Sequence, residues 1–186
     1  MMRFITPVQK SAMRKFLTVT MAVSVLAGVG PVVAQQPPEP GPEHEWLKES
    51  EGTWDFTLKG GEDKGTSTGK MGMGGLWLTE HAKGEFGGKP FEGGGATTYD
   101  AGKKKFVNVW IDSMSTSPMV SEGTYDKAQK TLTLVGQMPI PGGTSVKATL
   151  VTVFKDADTK TFTLSAPGPD GKEAEMMQIT YKRREK

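Results

Sequence analysis

The residues 106–112, FVNVWID, carry the most suggestive chemistry in the sequence. Side chains of an extended strand alternate between two faces. Phe106, Asn108, Trp110 and Asp112 therefore share one face, and Val107, Val109 and Ile111 the other. An aromatic wall that carries an amide and a carboxylate is how a small-molecule pocket combines packing with orientation. The opposite placement, with the aliphatic face toward a core and the mixed face in water, fits the alternation equally well. Glu80 poses a similar question, because it alternates onto the face of Leu76, Leu78, Ala82 and Phe86. A carboxylate in an apolar row is costly unless it is paired or hydrogen-bonded. There it would orient a ligand or exchange a proton, whereas a place at a strand end near a rim would make it ordinary.

Other chemistries lack a matching set. The chain has no cysteine, which removes disulfides, thiolate metal sites, cysteine nucleophiles and lipid attachment at a leader cysteine. His44 and His81 are the only histidines and stand far apart, too few for a zinc site. Met71 and Met73 would put two thioethers on one strand face, a soft-metal pair in principle, although methionine as a packing residue is far commoner. Ser113, Ser115 and Ser117 have no histidine placed to activate them. Glu80, Glu92, Asp112 and Glu122 could furnish a carboxylate pair for glycoside chemistry, yet acids on exposed strand faces are common. No helix follows Gly93, Gly94 and Gly95, so they do not form a phosphate loop. The balance leans away from an enzyme, with no cofactor and no metal.

The elements that must position these residues begin after a leader. Arg14 and Lys15 precede an apolar run over 16–29, and Val32, Val33 and Ala34 offer a cleavage site. Residues 1–34 read as a signal peptide, with Met13 an alternative start. The expectation is an exported protein, periplasmic or secreted, with no membrane association after cleavage. The leader holds four of the 23 basic residues and no acids, so the remainder carries more acids than bases. The basic pI of about 8.7 thus belongs largely to the leader and is no argument for nucleic-acid binding, and no nucleic-acid partner is expected.

Residues 35–42 contain four prolines and read as a stiff linker. Residues 43–186 form a single domain of ordinary size. Its one expected helix spans 43–49, with acids in the first turn and Trp46 and Leu47 to dock it. Strands follow at 53–59, 66–73, 76–86, 91–99, 106–112, 119–125, 131–138, 146–154, 162–166 and 174–182. Short turns rich in glycine, proline and aspartate link them. Short links imply antiparallel neighbours. Ten strands in a meander leave two open edges unless the sheet closes, so an all-β up-and-down barrel with an internal space is expected. A two-sheet sandwich is the alternative.

Gly52-Thr53-Trp54 opens the first strand just after the short helix, and basic residues 182–184 end the last strand. This arrangement resembles the calycin superfamily of lipocalins, fatty-acid-binding proteins and nitrobindins. The resemblance implies that Arg183, or Arg184 one residue on, covers Trp54 and seals one end of the barrel, a contact that gains cation–π energy. A nitrobindin-like haem site would need a histidine late in the chain, and none follows His81.

A closer resemblance spans nearly all of the chain after the leader. It rests on GTWD at 52–55, PFEG at 90–93, WIDSMST at 110–116, SEGTYD at 121–126 and PGPDGKE at 167–173. These runs are similar to a bacterial family named for the domain of unknown function numbered 1579, which brings no activity with it. The resulting expectation is a calycin-like barrel that binds a small, partly apolar molecule, with Trp110, Asp112, Asn108 and Glu80 lining the pocket. A carboxylate-based hydrolase or isomerase in the same cavity, and an envelope-interaction domain with a filled barrel, are the alternatives. Oligomeric state is not legible from the residues.

Overall fold

The computed structural model describes residues 37–140, 142–168 and 170–185. The signal-peptide reading of 1–34 lies outside the described residues, as does the first part of the linker.

One short helix, α1 (Glu43–Lys48), precedes ten strands: β1 (Gly52–Leu58), β2 (Lys64–Gly72), β3 (Trp77–Phe86), β4 (Lys89–Asp100), β5 (Lys105–Asp112), β6 (Met119–Asp126), β7 (Thr131–Ile140), β8 (Thr144–Phe154), β9 (Thr159–Pro167) and β10 (Glu173–Arg183). Every strand pairs antiparallel with its sequence neighbours, and β1 pairs with β10 to close the barrel. The closing register sets Trp54 opposite Arg183, Phe56 opposite Tyr181 and Leu58 opposite Ile179. Closure satisfies the backbone groups that an open edge would leave bare.

Two stretches differ from the sequence reading. β2 ends at Gly72, and Met73 begins a 3-10 turn with φ of 51°. Met71 packs against the core while Met73 is 71% exposed. The two methionines therefore share no face and cannot act as a metal pair. β9 begins at Thr159, three residues before the expected start, and this brings Lys160 into the wall.

The registers fix which face looks inward. Thr97, Asn108, Ser121, Gly136 and Ala148 lie side by side across β4 to β8. On β5, Phe106 and Asn108 are buried while Ile111 is 61% exposed. The mixed face of that strand therefore points into the barrel, and its aliphatic face points out.

The two ends of the barrel differ. At one end Trp46 and Leu47 of α1 pack with Trp54, Leu78, Phe106, Leu132, Leu134 and Phe154. Trp46 stacks on Tyr125 with ring centroids 4.6 Å apart and meets Phe106 and Phe154 edge-on. A six-residue helix has little intrinsic stability, so this aromatic docking holds it in place. At the other end the inward side chains Phe91, Trp110, Met138, Val146 and Met177 are only partly buried. The barrel is a cup, with α1 as its floor and a mouth opposite.

Candidate functional site

The floor of the cup is built around a buried cation. Lys160 on β9 is 4% exposed. Its Nζ lies 4.7 Å from the centre of the Trp54 ring, 5.2 Å from Tyr181 and 5.6 Å from Phe154. An ammonium over aromatic faces recovers part of its lost hydration through their quadrupoles. Ser50 Oγ lies 3.3 Å from Nζ, and Glu80 Oε1 lies 3.7 Å away. Burial nevertheless holds the Lys160 pKa below the usual lysine value, opposed by the charge of Glu80. Burial, then the Glu80 charge, pushes the Tyr181 phenol up.

Arg183 completes the floor from the side of the closing strand. Its guanidinium carbon lies 4.1 Å from the Trp54 ring centre. Its N–H groups donate to the carbonyls of Glu49, Glu51 and Ala157, and Asp158 pairs with Nε at 3.2 Å. One side chain thus ties the exit of α1 to the turn before β9. The Trp54 indole N–H donates to the Ser50 carbonyl at 3.1 Å. Arg184 points elsewhere, pairing with Asp55 and holding that carboxyl below its usual range.

Glu80 sits within β3, facing inward, rather than at a strand end. Its side chain is 24% exposed while its partner Lys160 is enclosed, so solvent-accessible space reaches the carboxylate. Asn108 is buried and donates to Thr97 Oγ1 at 2.9 Å. Ser121, opposite Asn108 on β6, is 1% exposed, and its hydroxyl has no partner among the described residues.

Toward the mouth, Trp110 Nε1 donates to Asp112 Oδ2 at 3.0 Å, and the Met114 backbone N–H donates to Asp112 Oδ1 at 2.9 Å. The indole lies across β4 where Gly93 and Gly95 stand. A Cβ at Gly93 would come within 2.6 Å of the ring, and one at Gly95 within 2.8 Å. The glycine run at 93–95 is therefore a seat for a tryptophan inside a strand. The four residues singled out by sequence occupy three places in one interior: Glu80 with Lys160, Asn108 with Thr97, and Trp110 with Asp112.

Several polar groups lie outside this interior. His81 is exposed on the outer face, with Nε2 at 2.9 Å from Glu92 Oε1. That contact, with Lys83 beside it, keeps the Glu92 carboxyl below its usual range. Lys105 and Lys103 do the same for Glu122. No cluster of three metal-ligating side chains occurs among the described residues. A shallow hollow of about 340 Å³ runs along the outer wall beside Val107, Val120 and Val135. A second, of about 230 Å³, lies at the floor end beside Lys130, Phe154 and Arg183.

A family model described as "Protein of unknown function (DUF1579)" matches residues 39–183. No curated protein matches the chain. Among solved structures, one redesigned beta barrel is 14% identical over 80% of this chain and 100% of its own, with a TM-score of 0.37. Another redesigned beta barrel, bound to DFHBI, is 16% identical over 73% of this chain and 99% of its own, also with a TM-score of 0.37.

Proposed function

The chain belongs to the family of proteins of unknown function DUF1579, and from that premise we propose that it is an exported binding protein that holds a small, partly apolar molecule inside its barrel. The observation that carries this reading is the mixed lining of the cup. Glu80, Asn108, Trp110 and Asp112 face inward among Phe91, Met119, Met138 and Leu164. A barrel stabilised by packing alone would place apolar side chains at those positions. Buried polar groups cost stability unless they are satisfied, and they give a bound molecule its orientation. The asymmetry of the ends supports the same reading, because α1 covers one end and no helix among the described residues covers the other.

Native mass spectrometry of the protein purified after export tests the proposal. The expected spectrum shows the chain without residues 1–34, plus a small molecule that is lost on denaturation. Saturation at a hundredfold excess over Kd would raise stability by about 2.7 kcal/mol, visible as a higher Tm with the ligand than without it. A bare chain mass, with no Tm response to a neutral hydrophobic probe such as N-phenyl-1-naphthylamine, would leave the filled, structural barrel as the reading.

A further inference from the structure

Two tryptophans of the strands point into the cup, and they are furnished in opposite ways. Trp54 at the floor is covered by cations of the chain itself, Lys160 and Arg183. Trp110 nearer the mouth has no lysine or arginine over its ring among the described residues. It has a carboxylate at its edge instead. Asp112 takes part in no ion pair among the described residues. Its charge is met by two N–H groups, the Trp110 indole and the Met114 backbone. A carboxylate accepts about four hydrogen bonds, so capacity remains on both oxygens.

The ring packs beside two apolar clusters and is not fully covered. Bare backbone at Gly93 and Gly95 lies beneath it, and the residue is partly exposed although it points inward. An indole face attracts cations through its quadrupole. A carboxylate beside that face adds a charge interaction that water at the mouth screens incompletely. An anion brought to the same place would meet Asp112 at close range, and a neutral group would gain neither interaction.

We propose that the mouth of the barrel takes the cationic head of an organic amine or quaternary ammonium compound. The head lies against the partly exposed Trp110 beside Asp112, and the apolar remainder lies along Met119, Met138 and Leu164, which belong to the same apolar cluster. This inference rests on the binding reading above and names its ligand class.

Isothermal titration of the full exported protein with three probes of similar size tests it: benzyltrimethylammonium, benzyl alcohol and benzoate. The cation is expected to bind at least about tenfold more tightly than the alcohol, with benzoate weakest and the preference shrinking as salt is added. Trp110→Leu and Asp112→Asn should each erase the preference while still melting cooperatively. Two variants are used because either one alone could loosen the turn after β5. If benzyl alcohol binds as tightly as the cation, the cationic site is wrong and the general binding reading survives. If both variants keep the preference, or no probe binds, the site is also wrong, and the native mass measurement judges the general reading separately.

Discussion

Trp54 holds the floor of the barrel together because three separate parts of the chain converge on it. Its indole N–H reaches the Ser50 carbonyl, Lys160 and Arg183 bring their charges to its ring, and Arg183 also binds the carbonyls at the end of α1. The proposed seal between Trp54 and Arg183 is therefore a coupled unit. In a double-mutant cycle, Trp54→Ala and Arg183→Ala should show a coupling of about 0.5–1 kcal/mol in urea unfolding; strict additivity would mean that the two side chains only share a neighbourhood. The members of this pair are legible in the sequence as a Gly-x-Trp and a terminal basic group. Lys160 is not, because a lysine between two threonines reads as part of the turn before an apolar strand. Extending the alternation of Phe162, Leu164 and Ala166 back by one step places Lys160 on the inward face, a costly position that signals a partner. The partner, Glu80, is 80 positions earlier in the sequence, and no local pattern links the two.

Among the strands, local alternation conveys the existence and order of all ten elements, since several carry apolar residues on one face and turn residues punctuate them all. It does not convey where backbones crowd. Gly123 on β6 faces inward opposite Leu134 on β7, and a Cβ there would stand 1.9 Å from the Thr133 carbonyl oxygen. That obstacle is backbone, which cannot rotate away as a side chain can. Gly123→Ala should therefore cost about 3 kcal/mol or more, read as a lowered urea midpoint; a cost below 1 kcal/mol would show that the β6–β7 approach is looser than described. Gly102, in the turn between β4 and β5, meets only the Asp100 carboxylate at 3.2 Å. In the sequence Gly102 stands in an expected turn and Gly123 within an expected strand, but nothing there tells a crowded glycine from a free one. The distinction comes from pairing between strands, as does the seating of Trp110 over Gly93 and Gly95.

For the whole molecule, the consequential feature is that the barrel is closed at one end by a helix too short to persist alone. The sequence shows that Trp46 and Leu47 must dock somewhere, and ten meandering strands suggest closure, but neither states which opening α1 covers. The structure puts Trp46 among Tyr125, Phe106 and Phe154, at the ends of strands whose opposite ends carry Met119, Asp112 and Val146. Removing that plug should separate the stability of the floor from binding at the mouth. Trp46→Ala deletes a nearly buried indole, and such deletions cost about 3–5 kcal/mol. The strands would retain their pairing, because no ladder bond depends on α1. The expected outcome is a strongly lowered Tm with the far-ultraviolet strand signal intact below the transition. A probe bound at the Trp110 end should keep its affinity at a temperature where the variant is folded. Loss of that affinity in a folded variant would mean that the guest reaches the floor, placing Lys160 and Glu80 in contact with it and moving the functional centre from the mouth to the base of the cup.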